Sequence, residues 1–254
     1  MSAPEISTTP FTVLLVCTGN ICRSALGERL GTTYLHDALG AAAGDIRLAS
    51  AGTRALSGSG MHPDTALVLQ GLGGDPTGFT ARQLEPGMIE DADLVLALTR
   101  EHRRTVLELV PRALSRTFTL REAVALVDVV DDGDRPAGAD FASRARGLVA
   151  ALAAARGRRA SDADDDITDP MGRPVEAHQE VGQDVAEALL RVLAELIAAH
   201  PELDPEVAAS VAASFLHEAP ASALVDDVPA DDRRPERRRR LRPFGLLGRR
   251  GASA

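Results

Sequence analysis

The chain has 254 residues, enough for one large domain or for one domain with appendages. Hydrophobic residues make up 44% and aromatic residues 3%, so a core built from aliphatic side chains is expected. The net charge of −9 argues against general nucleic-acid binding, and two cysteines are too few for a disulfide framework or a four-cysteine zinc site. Without a signal-like start or a run of about 18 apolar residues, the sequence predicts a cytoplasmic protein with no membrane span.

The first half of the chain alternates between short apolar runs and helix-like segments. The expected strands are Phe11–Val16, Ile46–Ala49, Leu94–Leu98 and Arg116–Thr119, and the helices that follow them are 24–39, Asp64–Leu72, Glu101–Leu109 and Arg121–Val127. Ser24 is a candidate N-cap for the first helix, because its hydroxyl could accept from a free backbone N–H. This alternation predicts an α/β fold with a parallel sheet and helices on both faces.

The pattern changes after Val130. The segment 131–138 predicts a loop, Phe141–Arg156 a helix, 162–166 an acidic connector and Val175–Ala199 a closing helix. We therefore expect a flexible N-terminus at 1–10, a domain at 11–200 with an insertion near 131–165, and a mostly disordered tail at 201–254. A short helix is possible at Val207–Leu216, and the basic run Arg237–Arg240 favours a solvated tail, with RNA, acidic lipid or a protein partner as alternatives.

The segment with the strongest chemical signal is the signature loop, Cys17–Ser24, which links the first strand to the first helix. A phosphate dianion needs backbone N–H donors and a helix N-terminus pointed at it, and a loop in this position provides both. Gly19 is expected to permit an unusual backbone angle. Arg23 adds a planar fork that can bind two phosphate oxygens at once.

The residues of this loop also suggest an attacking group. The positive surroundings of Cys17 favour its thiolate, which is the nucleophilic form of the side chain. Ser24 can donate a hydrogen bond to that thiolate, and the Asn20 side chain can brace the loop. The expected catalytic residues are thus Cys17 and Arg23, and the expected phosphate-binding residues are Thr18, Gly19, Asn20, Ile21, Cys22 and Ser24.

The run Cys-Thr-Gly-Asn-Ile-Cys-Arg-Ser resembles the active-site signature of the low-molecular-weight protein tyrosine phosphatases. Further similarities are found at Ser50–Thr53, at Ala81–Gln83 and at Asp169-Pro170, so that the resemblance covers roughly residues 11–199. It implies a Rossmann-like, four-stranded parallel sheet flanked by helices. It also implies hydrolysis of phosphotyrosine through a phosphocysteine, with Asp169 as the proton donor and a bacterial tyrosine kinase as one partner.

Four positions depart from the family pattern. Met171 and Gly172 follow Asp-Pro where the family often has aromatic residues, and Phe79 stands where it often has His. Leu56 occupies a specificity position that is aromatic in some members. These differences bear on the class of substrate more than on the mechanism.

Two other functions fit the same scaffold. An arsenate reductase of the thioredoxin-linked type needs further cysteines, which this chain lacks, although a version that uses a small thiol stays open. A non-catalytic phosphate-binding module would keep the loop and lose turnover. The phosphatase calls for no metal or cofactor, because Arg23 and the loop N–H groups supply the positive charge.

Cys22 and the histidines have less specific signals. Cys22 could form a disulfide with Cys17 under oxidation, or it could simply fill space beneath the loop. The six histidines show no metal-like spacing, so we predict no metal site.

Overall fold

The computed structural model describes residues 9–130, 140–159 and 163–200, with the single residues Glu206 and Ser210. All of them belong to one compact unit, Met1–Ala221. The expectations for residues 1–8, for the 131–138 loop and for nearly all of the tail, including Arg237–Arg240, lie outside the described residues.

The sheet confirms the predicted architecture. Its strands are β1 (Phe11–Cys17), β2 (Ile46–Gly52), β3 (Leu94–Ala97) and β4 (Thr117–Thr119), in the order β2-β1-β3-β4. Every neighbouring pair is parallel. The second strand runs three residues further than expected, because Ser50, Ala51 and Gly52 pair with the end of β1.

The helices are α1 (Arg23–Leu39), α2 (Pro63–Gly71), α3 (Pro86–Glu90), α4 (Arg100–Leu109), α5 (Leu120–Val127), α6 (Phe141–Ala155) and α7 (Val175–Ala198). Six of them were expected, and α3 was not, because five residues are too few to show a helical period. Thr99 caps α4, and Thr119 with Glu122 forms a capping box on α5. None of the described helices has the length and apolarity that crossing a membrane requires.

The strand β1 is buried on both faces, which explains its continuous apolar sequence. Val13 and Leu15 belong to the larger core cluster, which includes side chains of α1 and α7. Leu14 and Val16 belong to the smaller cluster, which includes side chains of α3 and α4. The strands β2 and β3 pair with opposite edges of β1, so the connections that follow β1 and β2 run in opposite directions across the sheet. A crevice is therefore expected at the carboxyl end of β1. The signature loop lies at that end.

Candidate active site

The backbone of the signature loop is arranged like an anion cradle. Its carbonyl groups accept hydrogen bonds from the segment after β2: Thr53 donates to Cys17, Arg54 to Thr18, Leu56 to Gly19 and His62 to Ile21, at 2.8–3.0 Å. Within the described residues, the N–H groups of Ile21, Cys22, Arg23 and Ser24 have no protein acceptor. Free N–H groups at the start of a helix form a site suited to a phosphate.

Cys17 lies at the start of this cradle and is 2% exposed. Its Sγ is 2.9 Å from the Ser24 Oγ and accepts a hydrogen bond from the Asn20 N–H at 3.3 Å. Both groups can donate to a thiolate, as expected for Ser24. The N-cap prediction for Ser24 is wrong: α1 begins at Arg23, Cys22 is its N-cap residue, and the Ser24 hydroxyl instead contacts Cys17 and Asn20.

Asn20 is the central brace of the loop and is fully buried. Its Nδ2 donates to the Ser24 Oγ at 2.9 Å and to the Ser50 Oγ at 2.7 Å, and its Oδ1 accepts from the Arg82 N–H at 2.8 Å. Ser50 in turn donates to Glu28, which also pairs with Arg82. The single Asn20 side chain therefore ties the loop to β2 and to the segment that contains Arg82.

Glycine has a different role here from the one expected. Gly19 is not in the left-handed region, whereas Asn20 is, with φ 54°. Asparagine tolerates that conformation, and its side-chain bonds hold it there. The glycine that the loop requires is Gly52 at the end of β2, where a Cβ would lie 2.5 Å from the Thr18 carbonyl oxygen.

Arg23 is 4% exposed and reaches across to the loop before α7. Its Nη1 donates to the Ile167 carbonyl at 2.9 Å, and its Nη2 pairs with the Asp169 Oδ2 at 2.5 Å. Its Nε is buried and has no partner in the part of the chain that the structure describes. A buried guanidinium with an unused N–H is a donor poised for an anionic ligand.

Asp169 lies in the Asp169 loop, which we define as residues 166–174. Its side chain is 46% exposed, and its Oδ1 accepts from the Met171 N–H at 3.1 Å. The adjacent Pro170 is buried and anchors the loop. The structure thus brings Asp169 to Arg23, whereas Asp165 and Asp166 of the acidic connector are paired with Arg159 and Arg100.

His102 supports the loop and was not anticipated from the sequence. Its Nε2 is 2.8 Å from the Thr18 Oγ1, and its Nδ1 is 2.9 Å from the Thr99 Oγ1. Burial, with a contribution from the nearby Arg23, lowers the pKa of His102 to about 4, so the ring is neutral at neutral pH. The only sequence signal was the capping position of Thr99 three residues earlier.

Cys22 is a buried thiol rather than a second nucleophile. Burial raises its pKa to about 11, against the opposing effect of a hydrogen bond from Thr65. It packs with Ile21 and Phe79 beneath the loop. Both cysteines are free thiols, and the disulfide between them stays a prediction.

Apolar side chains lie beside the cradle. Leu56, whose N–H donates to the loop carbonyl of Gly19, is 51% exposed, and Met171, two residues after Asp169, is 44% exposed. Exposed large apolar residues next to a polar site suit contact with an uncharged part of a substrate.

Comparison with known proteins identifies the family of this chain. The family model described as low molecular weight phosphotyrosine protein phosphatase matches residues 12–136. The probable low molecular weight protein-tyrosine-phosphatase AmsI of Erwinia amylovora is 31% identical over 119 residues, which are 47% of this chain and 77% of that protein. The chain belongs to the low molecular weight phosphotyrosine protein phosphatase family.

Two solved structures resemble this chain over about three quarters of its length. The low molecular weight protein tyrosine phosphatase from T. tengcongensis is 25% identical, with a TM-score of 0.53 and coverage of 73% of this chain and 99% of that one. The YwlE arginine phosphatase from Geobacillus stearothermophilus is 26% identical, with a TM-score of 0.53 and coverage of 74% and 94%. Asp169 lies beyond the residues matched by the family model, so its assignment depends on the contact with Arg23.

Proposed function

We propose that this phosphatase hydrolyses phosphotyrosine in proteins through a phosphocysteine on Cys17. The observation that supports it best is the convergence at one loop of three features. These are a buried sulfur with two hydrogen-bond donors, a row of N–H groups and the Arg23 Nε, of which the N–H groups and the Nε have no partner in the part of the chain that the structure describes.

In this proposal the loop and Arg23 bind the phosphoryl oxygens first. The N–H groups of Ile21 to Ser24 take some of the oxygens, and the Arg23 guanidinium takes others, so that its Nη2 exchanges Asp169 for the substrate. This exchange would release the Asp169 carboxyl toward the leaving group. The negative charge that spreads over the oxygens in the transition state is balanced by donors already in place.

The chemistry then has two steps. The Cys17 thiolate forms a bond to phosphorus as the bond to the tyrosine oxygen breaks, and protonated Asp169 gives its proton to that leaving oxygen. Asp169, now a carboxylate, takes a proton from a water molecule that attacks the phosphocysteine. Inorganic phosphate leaves, and the Ser24 hydroxyl stabilises the thiolate as it departs.

Phosphoarginine is a second candidate substrate, because the YwlE arginine phosphatase is among the similar structures. The apolar residues Leu56 and Met171 favour an aromatic leaving group over a charged guanidine, which supports phosphotyrosine. An arsenate reductase is not favoured, because the relatives reported above are named phosphatases and Cys22 is a buried thiol.

The experiment is an assay of p-nitrophenyl phosphate in the presence of a chelator, followed by a peptide series. Matched peptides that carry phosphotyrosine, phosphoarginine or phosphoserine at one position would be compared by kcat/KM. We expect turnover in chelator and a preference for phosphotyrosine. A preference for phosphoarginine would show that the substrate is phosphoarginine rather than phosphotyrosine. Lack of any turnover would favour the non-catalytic phosphate-binding module. The resemblance suggests bacterial tyrosine kinases in the cytoplasm as the first protein substrates to test.

A further inference from the structure

Three side chains with metal-ligating atoms meet beside the signature loop, although they are far apart in sequence. His62 precedes α2, Asp64 lies in its first turn, and His178 lies in the first turn of α7. One potential ligand atom from each lies within 4.8 Å of the other two. The His62 Nδ1 and the Asp64 Oδ2 are 3.9 Å apart, and the rings of His62 and His178 stack with centroids 4.6 Å apart.

The two histidines hold unused polar atoms. Within the described residues, the His62 Nδ1 and the His178 Nε2 are buried and have no hydrogen-bond partner. Leaving one buried imidazole nitrogen unpaired is costly, and two in one cluster call for an explanation. A shared ligand that accepts both lone pairs would supply one.

Thr65 prepares His178 for this role. The Thr65 Oγ1 is 2.8 Å from the His178 Nδ1, and its hydroxyl hydrogen bonds to Cys22. In the tautomer whose Nδ1–H donates to that hydroxyl, the ring lone pair lies on Nε2 and is available to a metal ion.

We propose that His62, Asp64 and His178 bind a divalent transition metal ion of the Zn²⁺ type, with water as the fourth ligand. Two imidazole nitrogens and one carboxylate oxygen favour zinc over calcium or magnesium, which prefer oxygen ligands. Tetrahedral ligation needs ligand atoms about 3.4 Å apart at the usual bond lengths. Because the His62 and His178 rings are stacked at 18° and imidazole lone pairs lie in the ring plane, the His62 ring must also turn out of the stack to ligate the same ion. The His62 and Asp64 side chains are 25% and 38% exposed, so solvent-facing space is available for this adjustment.

The ion would tie the start of α2 to α7 at the base of the signature loop. The His62 N–H donates to the Ile21 carbonyl, and a small cavity is lined by Cys22, Arg23, Thr65, Pro170 and His178. Bound metal is therefore expected to stabilise the fold around the loop. The inference does not depend on phosphatase activity, because none of the three ligands takes part in the proposed reaction.

The test uses the full chain with Cys17→Ser as the parent, which removes the nucleophilic thiol as an alternative metal ligand. Zn²⁺ binding would be measured by competition with a chromophoric chelator and by the rise in Tm, and Co²⁺ by its visible absorption. His62→Asn removes one ligand at a half-buried position. His36→Asn, an exposed histidine on α1, is the matched control.

We expect the parent and His36→Asn to bind Zn²⁺ and to give the intense visible bands of tetrahedral Co²⁺. Loss of a group that only supports a metal ligand lowers metal affinity by roughly 10–100-fold. His62→Asn removes a ligand itself, so its Zn²⁺ affinity should fall by at least that much, and added Zn²⁺ should no longer raise its Tm. If His62→Asn does not fold, Asp64→Asn gives the same readout at a more exposed position. Equal binding by the parent and both ligand variants would overturn the proposal, as would a parent that binds neither ion.

Discussion

The signature loop and the Asp169 loop meet at Arg23, but the structure holds them in different ways. The signature loop is buried, and its side chains and carbonyls are bonded to β2, to the segment after β2 and to His102. The Asp169 loop is anchored by Pro170, and its carboxylate is half exposed and bonded only to Arg23 and to the Met171 N–H among the described residues.

The rigid signature loop and the more exposed Asp169 loop suit two different chemical tasks, namely phosphate binding with nucleophilic attack, and proton transfer. Binding and attack need several donors and a sulfur fixed to within a fraction of an ångström before substrate arrives. Proton transfer needs a group that can change partner, from Arg23 to the leaving oxygen, during the reaction. We therefore expect damage to the signature loop to abolish turnover or unfold the site, and damage at Asp169 to give a graded loss.

The largest expected effect is that of Cys17→Ser. Removing a nucleophile of this kind lowers kcat on the order of 10⁴–10⁶-fold, because a serine hydroxyl is a much weaker nucleophile and a much poorer leaving group than a cysteine thiolate. Phosphate binding, measured by calorimetry, should survive, since the loop N–H groups and Arg23 are unchanged. Cys22→Ser is the matched control and should still turn over substrate. A Cys17→Ser variant as active as the parent would end the covalent mechanism.

Asp169→Asn should give a smaller loss that depends on the leaving group. General acid catalysis contributes about 10²–10⁴-fold, and a stable phenolate needs a proton far less than a basic one does. We expect kcat for aryl phosphates to fall most steeply for the most basic leaving groups. Asp166→Asn, on the same loop but paired with Arg100, is the control. An equal loss for all leaving groups would place the proton donor elsewhere.

His102 tests whether the support beneath the signature loop is as rigid as the contacts suggest. Its pKa is about 4 in the folded protein, below the ordinary value of 6.5, so the unfolded chain takes up the proton first as the pH falls. The stabilisation is complete above pH 6.5 and is lost between there and about pH 4, by an amount on the order of 3 kcal/mol. Urea unfolding at several pH values should show a smaller acid loss in His102→Asn than in the parent. His36→Asn should follow the parent, and identical curves for all three would contradict the burial of His102.

Substitutions of Asn20 would measure how much the shape of the signature loop depends on this one side chain. Asn20→Ala removes one hydrogen bond each from Ser24, Ser50 and the Arg82 N–H, at a cost of about 1–3 kcal/mol in the free energy of unfolding. Ser24 keeps its contact with Cys17 and Ser50 keeps its bond to Glu28. Asn20→Gly loses the same bonds but tolerates the positive φ, so it should be the less destabilised of the two. The midpoints of urea unfolding compare them. An Ala variant as stable as the parent would show that the loop holds its shape without this brace.

The same comparison explains what could be predicted from sequence. The signature loop lies within eight consecutive residues between a strand and a helix, so the order of its residues was enough to locate Cys17 and Arg23. Asp169 is 146 residues from Arg23, and only the family resemblance suggested it. The supporting contacts of His102, Ser50 and Glu28 were not predicted, because they join separate elements of the fold.

Local details of the signature loop also could not be predicted from the sequence pattern. Gly19 was a reasonable choice for an unusual backbone angle, but the angle belongs to Asn20, whose side-chain bonds were not visible in the sequence. Ser24 has the composition of an N-cap, yet its hydroxyl is used by Cys17 and Asn20. In the same way the separation of His62 from His178 concealed a cluster that the packing of α2 on α7 creates.

The most direct test of the account is to trap the covalent intermediate. Asp169→Asn, which should slow hydrolysis of the phosphocysteine, would be mixed with a phosphotyrosine peptide, quenched within one turnover and digested for mass spectrometry under conditions that preserve thiophosphates. We predict one phosphoryl group on Cys17 and none on Cys22, in an amount that rises and then decays as free phosphate appears. Release of phosphate with no phosphorylated Cys17 at any time would contradict the mechanism.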